Sequence, residues 1–272
     1  MKKLFFLFFT ISTLIFSFGQ TADKQVVKDL MRAADSENDV YEAIALYTKV
    51  IELEPNSASA YLRRGNNKKN LKDYYGAISD YSESIVISPN YWWAHWHRAQ
   101  SKANLKDYKG AIADFTKAIE IDPTKPIQYS ARAKSKANLK DYKGAISDYT
   151  RAIEINSTYD AFFYQRGRIK GKLEDYKGAI LDFDKAIEIA PEVGFYYLDR
   201  GVYKFNLKDN YGAISDYSKS ITIDGDDYVA YTNRSIAKET LGDLIGACKD
   251  AKMAVKFGKE EGWPKWVSEN CN

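Results

Sequence analysis

Apolar, small and turn-forming residues recur along the chain with a fixed spacing of 34 residues. The spacing holds over six or seven consecutive segments, and few positions are substituted. A period of this length, sustained over most of a chain, is typical of proteins built from stacked structural repeats. The recurring positions include Leu71, Leu105, Leu139, Leu173, Leu207 and Leu241; Gly76, Gly110, Gly144, Gly178, Gly212 and Gly246; and Ala43, Ala77, Ala111, Ala145, Ala179, Ala213 and Ala247.

Each segment predicts two helices joined by a short turn. In the segment 92–125, the pattern predicts a first helix over about 93–105 and a second over 108–121, with its apolar residues on one face. Asp107 precedes the second helix and is typical of an N-cap. Pro123 ends that helix. The glycine in the first turn of every second helix costs about 0.5–1 kcal/mol relative to alanine, and we interpret it as a point of close approach.

The unit resembles the tetratricopeptide repeat in its 34-residue period, its Asp-Tyr turn and its small–aromatic–small–proline pattern at Ala111, Phe115, Ala118 and Pro123. The resemblance implies an all-α fold, a right-handed α-solenoid of helix-turn-helix units whose concave groove is lined by the first helices. It also implies a chain that binds proteins or peptides and is not an enzyme. The stability of such arrays is nearly a sum of unit and neighbour contributions. In this phase the seven units are 24–57, 58–91, 92–125, 126–159, 160–193, 194–227 and 228–261.

The units depart from the family pattern at their seventh place, which is usually apolar but carries arginine in six units, with aspartate sixteen residues later. The unit 24–57 has Leu30 and Leu46 at these two places. We therefore predict an Arg–Asp pair within each of the six units; two separately solvated charges are the alternative. Lysine one turn after each arginine belongs to the same network or, alternatively, forms a basic ladder for a ligand. The arginines are Arg64, Arg98, Arg132, Arg166, Arg200 and Arg234, and the aspartates are Asp80, Asp114, Asp148, Asp182, Asp216 and Asp250.

The first 19 residues have the layout of a secretory signal peptide. Two lysines precede an apolar or hydroxylated run over 4–18, and small residues stand before Gln20. We expect cleavage near Gly19 and a periplasmic or secreted, bacterial protein with no membrane span after cleavage; a retained anchor is the alternative.

The C-terminal residues 262–272 predict a short capping helix, with Pro264 at its start. Cys248 occupies a place that carries isoleucine in the six earlier units, and this place should face the cap. We predict a structural Cys248–Cys271 disulfide, which suits an exported protein. A buried free Cys248 is the alternative.

Composition and motifs favour a binding protein over an enzyme. With 40 Lys and Arg against 37 Asp and Glu, the formal charge of +3 argues against a nucleic-acid ligand. The chain carries no P-loop, dinucleotide fingerprint or zinc spacing, so no cofactor and no metal are expected. His95 and His97 are the two histidines and point to nearly opposite sides of a helix, so they cannot share one metal ion.

The groove places vary between units and supply the candidate ligand-binding residues. They predict an aromatic patch at Trp93 and Trp96, a basic strip and an apolar stretch, which together suit a peptide with an acidic segment and apolar anchors. Trp93 and Trp96 could instead pack between units or stack on sugar rings. The chaperone-tail clamp of some relatives needs a lysine where Leu62 stands. The candidates are Trp93, Trp96, Gln100, Lys134, Tyr164, Arg168, Phe195, Leu198 and Val202, with Phe205 beside them.

These observations predict a non-enzymatic scaffold that binds a protein or peptide in the groove of a tetratricopeptide superhelix. A self-assembling envelope element, which would be a homo-oligomer, and a glycan-binding module are the alternatives. An accessory domain of an enzyme is a further class.

Overall fold

The computed structural model describes residues 24–258 and 263–271, where all regular secondary structure is helical. The prediction of an all-α chain is thus confirmed. The signal peptide predicted over 1–19 and the junction 259–262 lie outside the described residues. The helices are α1 24–36, α2 Val40–Leu53, α3 Ala58–Asn70, α4 Tyr74–Ile87, α5 Trp92–Asn104, α6 Tyr108–Ile121, α7 Pro126–Asn138, α8 Tyr142–Ile155, α9 Asp160–Lys172, α10 Tyr176–Ile189, α11 Gly194–Asn206, α12 Asn210–Ile223, α13 Tyr228–Thr240, α14 Leu244–Lys256 and α15 Trp263–Asn270.

The helices divide between two compact bodies, an N-terminal body that ends at Thr124 and a C-terminal body that begins at Lys125. Within the first, α3 packs on α4 and α5 on α6; within the second, α7 packs on α8, and the pairs continue to α13 on α14. Each pair also packs on the next pair of its own body. Alanines such as Ala111 and Ala145 are fully buried at these contacts, which lets the helices approach closely. No helix among the described residues combines the length and apolar character needed to cross a membrane.

The turn inside each of the six pairs from α3/α4 to α13/α14 has a left-handed residue that sequence analysis missed. Lys72, Lys106, Lys140, Glu174 and Lys208 have φ between 61° and 65°, and Gly242 takes this place in the last pair. In the first of these turns, Lys72 N–H donates to the carbonyl of Lys69, and Asp73 N–H donates to that of Lys68. These bonds satisfy carbonyls at the end of α3 in a Schellman motif.

The residue after the left-handed turn is the aspartate that caps the second helix, as predicted. In α8, Asp141 Oδ1 accepts a hydrogen bond of 3.0 Å from the backbone N–H of Gly144. A Cβ atom on Gly144 would overlap Asp141 Oδ2. The recurring glycine is therefore the point of close approach that the sequence indicated, and the capping carboxylate is what approaches it.

We expect Gly144→Ala to lower the free energy of unfolding by about 1 kcal/mol. The new methyl group displaces the Asp141 side chain, which then loses its capping hydrogen bond. In an Asp141→Ala background the carboxylate is gone, and the same substitution should raise stability by up to about 1 kcal/mol through the higher helix propensity of alanine. Urea denaturation of the four variants measures both values. An equal effect of Gly144→Ala in the two backgrounds would contradict this account of the glycine.

The C-terminal helix α15 packs on α14 and is joined to it covalently. The structure places a disulfide between Cys248 and Cys271, whose Cα atoms are 5.3 Å apart. Lys252 Nζ also donates to the backbone carbonyl of Cys271 at 3.0 Å. The cap is thus held by a covalent link and a charged hydrogen bond.

Candidate functional site

The arginine at the seventh place of a unit forms a bidentate ion pair with the aspartate of the following helix. Arg98 Nε and Nη2 donate to Asp114 Oδ2 and Oδ1 at 2.9 and 2.7 Å, and Lys102 Nζ lies 2.8 Å from Oδ2. The same bidentate geometry recurs in all six units in which the pair was predicted, so the predicted pairing is confirmed.

The lysine of each network binds the same carboxylate, which assigns it to the scaffold. The six lysines that could have formed a ligand-binding ladder each lie 2.7–2.9 Å from their aspartate. Burial raises the pKa of Asp114, but the hydrogen bonds and charges of Arg98 and Lys102 outweigh burial and lower it below its usual value. The carboxylate therefore stays ionised at neutral pH.

The arginine also reaches back to the preceding helix pair. Arg98 Nη1 donates to Ser82 Oγ at 3.1 Å, and that hydroxyl donates to the carbonyl of Ile78 at 2.7 Å. Arg64, Arg166 and Arg234 make the equivalent contact with a Thr or Ser hydroxyl, and Arg200 makes it with Asp184. One side chain thus links three helices. These charges are structural, so the ligand-binding residues have to be sought elsewhere.

In the N-terminal body, the predicted aromatic patch surrounds a histidine. Trp93 stacks on the His97 ring with centroids 5.8 Å apart, Trp96 meets it edge-on at 4.8 Å, and Tyr81 stacks on it at 5.7 Å. Trp93 is 42% exposed, whereas Trp96 is half-buried. Trp92 also stacks on Trp93, with centroids 3.9 Å apart, so the patch offers the part of the Trp93 indole that these rings leave exposed.

A lysine from α3 completes this group, which we call the Lys69 site: Lys69, Trp93, Trp96, His97 and Gln100. Lys69 Nζ lies 3.0 Å from His97 Nδ1 and 3.1 Å from Gln100 Oε1. Because an ammonium group has no acceptor, Nδ1 must accept, and the imidazole is neutral with its proton on Nε2. Burial, aided by the Lys69 charge, lowers the pKa of His97 to about 4.

In the C-terminal body, the predicted basic strip contains an acidic residue. Tyr164 donates from its hydroxyl to Asp199 Oδ2 at 2.9 Å, and Arg168 Nε lies 3.8 Å from the same oxygen. The guanidinium of Arg168 also lies over the Tyr164 ring at 5.6 Å. Burial raises the pKa of Asp199 despite the opposing effects of Tyr164 and Arg168. Arg168 is thus oriented by a ring and a carboxylate, with 48% of its side chain exposed.

The remaining candidates differ in exposure. Phe195 is 47% exposed and meets Tyr164 edge-on at 5.1 Å, and Lys134 is exposed on α7. Leu198 and Val202 are half-buried and pack, together with Phe205, against the core residues Ala213, Tyr217 and Ala237. Phe195, Arg168 and Lys134 therefore offer more surface to a ligand than the two aliphatic candidates do.

Three residues of these sites escaped the sequence analysis: Lys69, His97 as a groove residue, and Asp199. His97 and Asp199 share the sixth place of their units, and Lys69 holds the twelfth place of the preceding unit. The sixth place carries a different residue in each of the six units 58–261, namely Arg63, His97, Ala131, Gln165, Asp199 and Asn233. Residues that maintain the repeat recur from unit to unit, so the variability of the sixth place was the sequence signal that could have indicated a binding role.

The described residues contain no group of three His, Cys, Asp or Glu side chains placed to hold a metal ion. His95 is buried and its Nε2 lies 2.9 Å from the carbonyl of Pro89, so this nitrogen carries the proton. Its Nδ1 has no hydrogen-bond partner among the described residues. His95 therefore serves the packing of α5.

Comparison with known proteins supports the interpretation as a repeat protein. Family models described as tetratricopeptide repeat match residues 92–125, 129–159 and 161–193. No curated protein sequence matches the chain significantly.

Solved structures show the same fold at low identity. The C-terminal part of a TPR repeat-containing protein from Cytophaga hutchinsonii is 18% identical, with a TM-score of 0.76 over 91% of this chain and 99% of that one. A tetratricopeptide repeat protein from Parabacteroides merdae is 17% identical, with a TM-score of 0.63 over 93% and 100% of the two chains. YrrB, a TPR protein with an unusual peptide-binding site, is 20% identical, with a TM-score of 0.60 over 68% and 95%.

The matched segments coincide with helix pairs that carry the capping aspartate, the buried small residues and the Arg–Asp network. The same pair recurs on both sides of those segments. Three units between residues 92 and 193 are therefore matched as tetratricopeptide repeats, and the chain has the fold of solved tetratricopeptide repeat structures.

Proposed function

We propose that the chain is a non-enzymatic scaffold that binds a peptide or an extended protein segment along the first helices of its repeats. The observation that carries the proposal is the exposure of large side chains there. Trp93, Arg168 and Phe195 are all more than 40% exposed, although each is oriented by neighbouring rings or charges. Aromatic and arginine side chains dominate binding energy at protein interfaces.

Two further points support a peptide ligand. The Arg–Asp–Lys networks pair the scaffold charges with one another. Arg168, beside Asp199, and Lys134 are exposed cations on first helices that could receive an acidic segment. YrrB, which shares the fold, is a TPR protein with an unusual peptide-binding site. An acidic peptide with apolar anchors fits this combination of charge and aromatic surface.

Binding to an array of immobilised 15-residue peptides tests the proposal. We expect Trp93→Ala/Phe195→Ala to weaken the bound peptides more than tenfold, because truncating an aromatic hot spot costs at least about 2 kcal/mol. The matched control is Tyr75→Ala/Tyr211→Ala, which removes two aromatic residues that are each 76% exposed, but on second helices.

The control should bind as the wild type does. Loss of binding in the control alone would move the interface to the second helices. Absence of any bound peptide for the wild-type chain would contradict the proposal.

The second helices favour a second candidate function, self-association. Tyr41, Tyr75, Tyr211 and Ile245 occupy one place of their units and are each more than 70% exposed. Exposed apolar groups of this size mark contact surfaces when they adjoin. Sedimentation of the wild type and of Tyr75→Ala/Tyr211→Ala distinguishes the candidates, because self-association predicts an oligomer that the variant loses.

We further propose that the chain is exported after cleavage near Gly19. The Cys248–Cys271 link supports this, because disulfides persist in oxidising compartments. Mass spectrometry of the protein recovered from an envelope fraction would give both the mature N-terminus and the redox state.

A further inference from the structure

We propose that the Lys69 site binds the carboxylate of an aspartate or glutamate in the peptide ligand, with an adjacent apolar group of that ligand on the exposed part of the Trp93 indole. The inference rests on the proposed function and assigns it a specific subsite. The residues that form the subsite all belong to α3 and α5 of the N-terminal body.

The first step is the unbalanced charge of Lys69. This lysine is half-buried, and the partners of its Nζ atom are a neutral imidazole and a neutral amide. It forms no salt bridge with any residue in the described part of the chain. Burial lowers its pKa, and no neighbouring carboxylate opposes that effect. A charge removed from water without a counterion is costly, so an arriving carboxylate gains a partner that the fold does not supply.

The adjacent lysine, Lys68, is by contrast neutralised by a carboxylate of the scaffold. Lys68 has nearly the same position in the sequence, yet its Nζ lies 2.8 Å from the buried Asp80 carboxylate. The other nearby cation, Arg63, is bound to Asp35. Of these three cations, Lys69 is therefore the one without a carboxylate partner among the described residues.

The second step is the orientation of the ammonium group. Two of its three N–H bonds are directed to His97 Nδ1 and Gln100 Oε1, at 3.0 and 3.1 Å. The His97 ring is fixed in turn between Tyr81 and Trp93. One N–H remains for a ligand, and little side-chain entropy is left to lose when it is used.

The third step is the choice of anion. A single remaining N–H and a single uncompensated charge match a monovalent carboxylate. A phosphoryl group carries close to two charges at neutral pH and would require a second cation, but Lys68 and Arg63 are already paired. The exposed indole of Trp93 stacks on the same His97 ring that accepts from the ammonium, which favours a ligand whose acid group stands next to an apolar one.

The test uses two dipeptides that differ by one charge, acetyl-Phe-Glu-amide and acetyl-Phe-Gln-amide. Each is titrated into the full chain while NMR follows the His97 ring and the tryptophan indole protons. We expect the glutamate dipeptide to bind at least tenfold more tightly than the glutamine dipeptide. The ratio should fall to about one in Lys69→Met and remain unchanged in the matched control Lys109→Met, which removes an exposed lysine of the second helix α6.

A ratio that survives Lys69→Met, or a glutamate dipeptide that leaves the His97 and tryptophan signals unmoved, would overturn the inference. Those results are separate from a failure of the proposed function. Peptides that bind the array and are indifferent to Lys69→Met would support the scaffold and reject the subsite, whereas dipeptide binding without any array binding would support the subsite alone.

A stability measurement provides an independent readout. Lys69→Met removes an uncompensated, half-buried charge and should leave the melting temperature equal to or above that of the wild type. Lys68→Met removes a partner of Asp80 and should lower it. A melting temperature that falls as far for Lys69→Met as for Lys68→Met would show that Lys69 supports the fold, and would contradict the inference.

Discussion

Replacing Arg98 by leucine is expected to lower the free energy of unfolding by about 3–5 kcal/mol. The substitution leaves Asp114, of which 8% of the side chain is exposed, without its two guanidinium hydrogen bonds. It also removes the donor to Ser82 in the preceding helix pair. The buried carboxylate then keeps only Lys102 as a charged partner, and its lost guanidinium bonds account for most of the effect. Urea denaturation followed by circular dichroism measures it.

The double variant Arg98→Leu/Asp114→Leu should be clearly more stable than Arg98→Leu alone, because the buried Asp114 carboxylate is removed together with its guanidinium partner. The chain contains a natural version of this change, since Leu30 and Leu46 occupy the corresponding places in the unit 24–57. Leu46 packs there against Ala43 and Tyr47. Equal losses in the single and double variants would contradict an energetic coupling of the two charges.

Acidification from pH 7 to pH 4 should destabilise the N-terminal body through His97 by about 2 to 3 kcal/mol, at up to about 1.36 kcal/mol for each unit of pKa difference. The pKa of His97 is about 4 in the folded chain, against an ordinary value of 6.5 for a histidine in water. The unfolded chain therefore binds a proton first as the pH falls. The stabilisation is complete above pH 6.5, declines between pH 6.5 and 4, and is lost at lower pH.

The variant His97→Gln isolates this contribution, because glutamine does not titrate. The stability difference between pH 7 and pH 4 should be smaller in the variant than in the wild type by the stated amount. His95 titrates in the same direction in both proteins, because burial lowers its pKa. Asp114, with its pKa below the usual value, acts mainly at lower pH. An identical pH profile for both chains would refute the role of His97.

Features that lie within one helix pair could be predicted from the sequence. The capping aspartate, the second helix at 108–121 and the Arg98–Asp114 pair all follow from residues that recur with the repeat. A residue that recurs in every unit fulfils a structural need that all units share, so its periodicity indicates a structural role.

Features that depend on the distance between neighbouring first helices could not be predicted. Lys69 meets His97 across 28 residues, and Tyr164 meets Asp199 across 35. The residue types that meet at these places differ from unit to unit, as in Asp35–Arg63 and Lys69–His97, so periodicity carries no signal for them. The left-handed conformation of Lys106 was missed for a different reason, because lysine has no preference for positive φ, and the carbonyls that it helps to satisfy impose this conformation.

The Arg–Asp–Lys network has a consequence for how such a chain can change in length. Arg98 draws its partners from its own unit and from a hydroxyl of the unit before it, and Thr48, Thr150, Asp184 and Ser218 supply comparable acceptors in the second helices of other units. A block of 34 residues such as 58–91 can therefore be duplicated or deleted as a whole, and each arginine keeps its carboxylate and meets an acceptor in the second helix before it. An insertion or deletion of any other length between an arginine and its aspartate would change their sixteen-residue spacing, which confines viable changes of length to whole repeats.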